Sequence, residues 1–170
     1  MLTGMRKSLI DQEAAAKCPP VPQDSWLDLD ALATVHITSE DSLFPIEDAL
    51  VDKPDAKPWS GWRASRTGPQ TVLIKFDHPV SIRRIHLRII EAAAPRSQEF
   101  AIFASSSEND RREIIRQQFS FSPEGASEEI EDYTVSLAGI TALELRIDPD
   151  RSHDPTQSQH HASLKSLRLA

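Results

Sequence analysis

The chain has 170 residues, 39% hydrophobic and 26% charged, with a formal net charge of −7. Such a length and composition fit one soluble globular domain, able to bury about 70% of its unfolded surface. The acidic balance disfavours a non-specific nucleic-acid binder, which draws its affinity from Lys and Arg on phosphates; no apolar run approaches the ~18 residues of a membrane-spanning helix.

The N-terminal stretch lacks the apolar core of about 7–15 residues that a secretory signal needs, so a cytoplasmic location is expected. The single cysteine, Cys18, has no partner for an internal disulfide and reads as a free thiol. "SLIDQEAAAK" (residues 8–17) has helix-favouring composition and is stopped by Pro19 and Pro20. A short helix or arm is expected over residues 1–29, with Trp26 and Leu27 docking it onto a domain spanning 30–170.

From Ala33 onward the pattern changes to short β-like runs between turns. "TVHITS" places Val35 and Ile37 on one face, and "TVLIKFD" does so for Val72, Ile74 and Phe76. In "RRIHLRII" Ile85, Leu87 and Ile89 alternate with Arg84, His86 and Arg88. "QEFAIFASS" is apolar on both faces, as a central strand would be, and "REIIRQQFSF" ends in the pair Phe119 and Phe121. "EIEDYTVSL" alternates with a slip near Asp132, read as a bulge. "TALELRID" points Leu143, Leu145 and Ile147 inward, and "ASLKSLRLA" is the last strand. These are about eight strands without intervening helices, which predicts an all-β, antiparallel jelly-roll sandwich rather than a parallel sheet with crossovers.

The order of the pieces carries a resemblance. "VHITSED" (Val35–Asp41) is followed by "IEDALVD" (Ile46–Asp52) and "WSGW" (Trp59–Trp62). Then come "PQTVLIKFDHPVSIRRIHLRI" (Pro69–Ile89), "EFAIFASSSEND" (Glu99–Asp110), "ALELRID" (Ala142–Asp148) and "ASLKSLRLA" (Ala162–Ala170). Over about residues 30–170 this resembles the discoidin, or coagulation-factor type C, family of galactose-binding-like jelly rolls. The resemblance implies a core tryptophan after the first turn. Two registers compete, Asp52 with Trp59 or Asp55 with Trp62; we prefer Trp62, with Ser60 in the place of the family's threonine. Trp59 then lies on the outer side of the turn.

The resemblance also implies a non-catalytic binding module, with a carbohydrate or glycan-like ligand at the loop end. Its candidate contacts are Trp59 as a flat platform, then Arg63, His36 and Arg66; Arg96 and Asn109 also fall at loop ends. An indole suits the apolar face of a sugar ring, and an arginine fork suits vicinal hydroxyls or a carboxylate. Many members bind a structural calcium beside the turn. Here Asp48, Asp52 and Asp55 are weak candidates, Lys53 and Lys57 intrude on the turn, and the family's last-strand Glu falls on Ser166 beside Lys165. A lysine ammonium in the cation's place is the alternative.

The competing reading is a protein-interaction or scaffold module using the basic strand face of Arg84, His86 and Arg88, with nucleic acid a remote partner. Its bland counterpart is a ladder of charge pairs with neighbours such as Glu144 and Arg146. The loop holding His153, Asp154, His160 and His161 has metal-ligand residue types, but adjacent histidines on extended chain point to opposite sides, so it reads as a solvated loop. No nucleophile motif, phosphate loop or metalloprotease motif occurs, and only five glycines are present, so no enzyme is expected.

Overall fold

A computed structural model describes residues 26–153 and 159–170. The helix expected in the N-terminal arm, Cys18 and Asp154 lie outside the described residues. The chain enters through Leu27, whose N–H donates to Leu169 O at 2.7 Å, while Trp26 packs 6.2 Å from the His86 ring. The expected docking of these two residues is therefore present.

A one-turn helix α1 (Leu29–Leu32), capped by the Asp28 carboxylate on the Ala31 N–H, leads into strand β1 (Ala33–Ile37). A second short helix, α2 (Glu47–Leu50), precedes β2 (Trp62–Thr67) and β3 (Gln70–Ile90). Then come β4 (Arg96–Ser105), β5 (Arg112–Phe121), β6 (Glu128–Asp148), β7 (His161–Leu164) and β8 (Ser166–Leu169). All pairings are antiparallel, as predicted for a jelly-roll sandwich.

The eight strands are divided differently from the expectation. "TVLIKFD" and "RRIHLRII" are the two halves of β3, and "EIEDYTVSL" and "TALELRID" are the two halves of β6. The two strands run side by side, with register shifts between Lys75 and Arg84. The first half of β3 pairs with β1, and the second half pairs with β8. β4 lies between β6 and β5, the central position its apolar faces required. The bulge expected near Asp132 is absent, because Arg84–Ile90 pair with Thr134–Glu128 without interruption. The apparent slip arises from Ile130, which faces outward and is 56% exposed, while Glu129 takes the inward position.

Inward side chains of both halves of β3 (Val72, Ile74, Ile85, Leu87, Ile89) meet Phe100, Ile102, Leu143, Leu145 and Ile147 in one core. Each such side chain contributes about 1.5–3 kcal/mol on burial. β2 was not anticipated; among the described strands it pairs with β7, nearly a hundred residues later in the chain, and it carries two buried positions, Trp62 and Ala64.

Candidate functional site

The chain between α2 and β2 carries Trp59, and Trp62 opens β2. Prolines 54 and 58 restrict the connection, and two tight turns close it: Ala56 N–H donates to Lys53 O at 3.0 Å, and Ser60 N–H to Lys57 O at 2.9 Å. Gly61 then adopts φ +145°, where a Cβ would stand 2.8 Å from Leu164 O. The turn is thereby drawn against the junction of β7 and β8.

These turns separate the two indoles. Trp62 is 1% exposed and donates its Nε1–H to Ser39 O at 3.2 Å; it is the core plug. Trp59 is 68% exposed, with the Lys57 ammonium 5.4 Å from its ring centre. Trp62 is thus the buried ring and Trp59 the exposed one, as expected.

Trp59 stands at a cleft of about 610 Å³, and the described walls come from four places. The Trp59 turn supplies one rim, and Phe44 and Arg63 another. The β3–β4 connection gives Ile90, Glu91, Ala92 and Ala94; the start of β7 gives His160 and His161. Arg63 is held in place: its Nη2 donates to Asp41 at 2.7 Å, and its guanidinium lies 4.2 Å from the Phe44 ring centre. The guanidinium, helped by the Leu43 N–H, keeps the Asp41 carboxyl below the usual carboxylate range. His161 Nδ1 lies 2.9 Å from Ala64 O. A carbonyl can only accept, so Nδ1 carries a proton, and in the neutral ring Nε2 is left as an acceptor. An exposed indole, an oriented guanidinium and an oriented imidazole thus share one apolar-lined cleft.

From Arg96, which lines the cleft, a buried polar set continues along β4. Arg96 is 8% exposed and paired with Glu91 at 2.9 Å, and its Nε and Nη2 have no hydrogen-bond partner among the described residues. Burial lowers its proton affinity, against the pull of Glu91. Next on the same face of β4, Gln98 donates to Glu129 at 3.3 Å. Glu129 is 1% exposed, and burial, reinforced by Glu131, pushes its carboxyl up to about 7.

Other sequence candidates fall elsewhere. His36 is an exposed residue of β1 opposite Leu73, and Arg66 turns its Nη2 onto Thr38 O; neither lines the cleft. Asn109 lies in the β4–β5 connection, also away from it. The histidine loop divides: His153 pairs with Asp148 at 2.6 Å, whereas His160 and His161 join the cleft. No cluster of three or more metal-ligand side chains occurs among the described residues.

On the outer face of β3, Arg84 Nε donates to Asp132 at 2.7 Å and its guanidinium lies 4.9 Å from the Trp26 ring centre. Arg88 is paired with Glu128, and His86 lies opposite Asp132. The face is a ladder of charge pairs with β6. Its acids are Asp132 and Glu128, not the expected Glu144, which pairs with Arg111 and Arg146 on the other half of β6.

The calcium implied by the resemblance does not fit these residues. Asp48 is paired with Lys53 at 2.6 Å, and Asp52 and Asp55 are exposed. The turn carbonyls that would ligate an ion surround an ammonium instead: Lys165 Nζ lies 2.7 Å from Pro58 O, 2.7 Å from Ser60 O and 3.4 Å from Lys57 O. A divalent cation and this ammonium cannot share one set of oxygens.

No family model matches the chain, and no curated protein matches it. Solved structures do. The third family 32 carbohydrate-binding module of a Clostridium perfringens family 31 glycoside hydrolase superposes with a TM-score of 0.58 at 15% identity, covering 86% of this chain and 94% of that one. The family 32 module of Clostridium perfringens NanJ, in complex with galactose, gives 0.56 at 13% identity over 85% and 96%. Reduced XRCC1 bound to the DNA polymerase β catalytic domain gives 0.54 at 15% identity over 82% and 95%. At these identities the likeness establishes the fold alone: an antiparallel jelly-roll β-sandwich.

Proposed function

We propose that the protein is a non-catalytic carbohydrate-binding module whose ligand lies in the cleft with one sugar face against Trp59. The exposed indole, fixed beside a pinned Arg63 and a His161 of defined tautomer, is the observation that carries this reading. A pyranose offers an apolar C–H face and a rim of hydroxyls. The indole meets the first, while the guanidinium and the imidazole exchange hydrogen bonds with the second. The site is shallow and open, so single-site affinity is weak and useful retention comes from repeated copies. The galactose carried by the NanJ module of the same fold supports galacto-configured sugars as the first to test.

Screening the full chain on a glycan array tests this. Retention on at least one saccharide class, lost in Trp59→Ala, is the expected result. Equal retention by Trp59→Ala would refute the platform, and silence across all saccharides would refute the function.

The second reading, a protein-interaction module, draws on the XRCC1 structure of the same fold, which is bound to a protein partner. It would have to use a surface other than unpaired β3 cations, because Arg84 and Arg88 already hold carboxylates.

A further inference from the structure

We propose that Lys165 is a built-in cation that sets the Trp59 platform, so that the turn presents its ring without a divalent metal. The binding arm of this proposal rests on the cleft being the saccharide site; the positioning arm does not.

Lys165 is the single residue linking β7 to β8. Its own N–H donates to Arg88 O at 2.8 Å, so the base of the side chain is fixed in the sheet. The ammonium then reaches across to the turn. Its two short bonds, 2.7 Å each, go to the carbonyls of Pro58 and Ser60. These are the residues immediately before and after Trp59. Two longer contacts, 3.4 Å to Lys57 O and 3.5 Å to Ser60 Oγ, fill out the ring of oxygens.

Carbonyl oxygens converging on one point repel one another. A positive charge at that point turns the repulsion into attraction, which is what a metal does in a loop of this kind. Lys165 supplies the charge from within the chain. No carboxylate lies within ion-pairing distance of its ammonium among the described residues, and Asp48, the acid that favours its charged form, is already held by Lys53. Burial, then Arg88, lowers the proton affinity of the ammonium below the usual lysine range, as carbonyls without a carboxylate only partly replace lost water. Gly61 adds a second clamp against the Leu164 carbonyl. Trp59 is therefore anchored on both sides while its ring stays exposed, which lowers the ordering cost of stacking a ligand on it.

Fluorine NMR of the full chain labelled with 5-fluorotryptophan tests the proposal. Of the three tryptophan signals, the one lost in Trp59→Phe belongs to Trp59. In Lys165→Met, which keeps the apolar stem, the Trp59 signal is expected to shift and broaden while the Trp62 signal stays in place. Lys165→Arg, which keeps a cation within reach, should restore most of the wild-type position. Excess calcium chloride or EDTA should leave the wild-type Trp59 signal unmoved. In the binding arm, affinity for galactose should fall roughly tenfold in Lys165→Met, the cost of ordering the platform on binding.

An unmoved Trp59 signal in folded Lys165→Met would overturn the positioning role, and a calcium-induced shift in wild type would overturn metal independence. If Lys165→Met does not fold, Lys165→Arg decides: a wild-type Trp59 signal supports the internal cation, and a displaced one rejects it. Absence of galactose binding by the wild type would count against the saccharide site and leave the fluorine result standing.

Discussion

The Trp59 cleft and the outer face of β3 both present arginine and histidine, yet the two regions dispose of their charge in different ways. On β3, Arg84 and Arg88 each meet a carboxylate from β6, and Trp26 covers part of the ladder. In the cleft, Lys165 is held by backbone carbonyls, His161 by the Ala64 carbonyl, and Arg63 by one carboxylate and the face of Phe44. Side chains of the first kind stabilise a surface. Those of the second kind are oriented by partners that leave other donors and acceptors over, and they share a cleft with an indole that is 68% exposed among the described residues. Charge on a surface is therefore a poor marker of a site; orientation with capacity to spare is a better one.

The largest expected effect lies beneath the cleft. Trp62→Ala should cost about 3–5 kcal/mol of stability, as loss of a buried aromatic does, measured by denaturant unfolding. A mild effect would mean that Trp62 is not the plug on which the turn rests.

Next in size is a pH effect from the buried polar set along β4. The Glu129 carboxyl rises from an ordinary 4.5 to about 7 on folding. Below pH 4.5 both folded and unfolded chains hold this proton. Above it the unfolded chain releases the proton first, so stability falls as pH rises to about 7, and then levels off. The loss should be roughly 3 kcal/mol, and Glu129→Gln should remove it. Wild-type and Glu129→Gln proteins with parallel stability profiles between pH 5 and 8 would contradict this.

The β3 ladder should matter far less. A double-mutant cycle on Arg84 and Asp132 is expected to return about 0.2–1 kcal/mol, and Arg84→Glu with Arg88→Glu should leave saccharide retention unchanged. Loss of retention in that double variant would move the site to the strand face. Smallest of all, Trp59→Ala should change stability by less than about 0.5 kcal/mol while abolishing retention, which separates a ligand platform from a core residue three positions away.

Much of the fold was legible because period-two alternation is local. The inward residues of the second halves of β3 and β6 are those the pattern marks, and Trp62 is buried and Trp59 exposed, as expected from the turn. Pairing between distant segments was not legible. β2 has two buried positions, too few to show a period, and its pairing with β7 brings His161 into the same cleft as Arg63. His36 and Arg66 were candidates because loop-end arginines and histidines look alike in sequence; the molecule turns them away from the cleft. A lysine ammonium in place of calcium was expressible in sequence terms. That the lysine is Lys165, meeting carbonyls on both sides of Trp59, required the β7–β8 junction to be in place.

The most direct test of the whole account is heteronuclear NMR of the chain titrated with galactose. Shifts should gather on the Trp59 indole, the Arg63 guanidinium and the His161 ring, leave the backbone around Arg84 and Arg88 untouched, and vanish in Trp59→Ala. Shifts centred on the β3 face, or shifts that persist unchanged in Trp59→Ala, would contradict it.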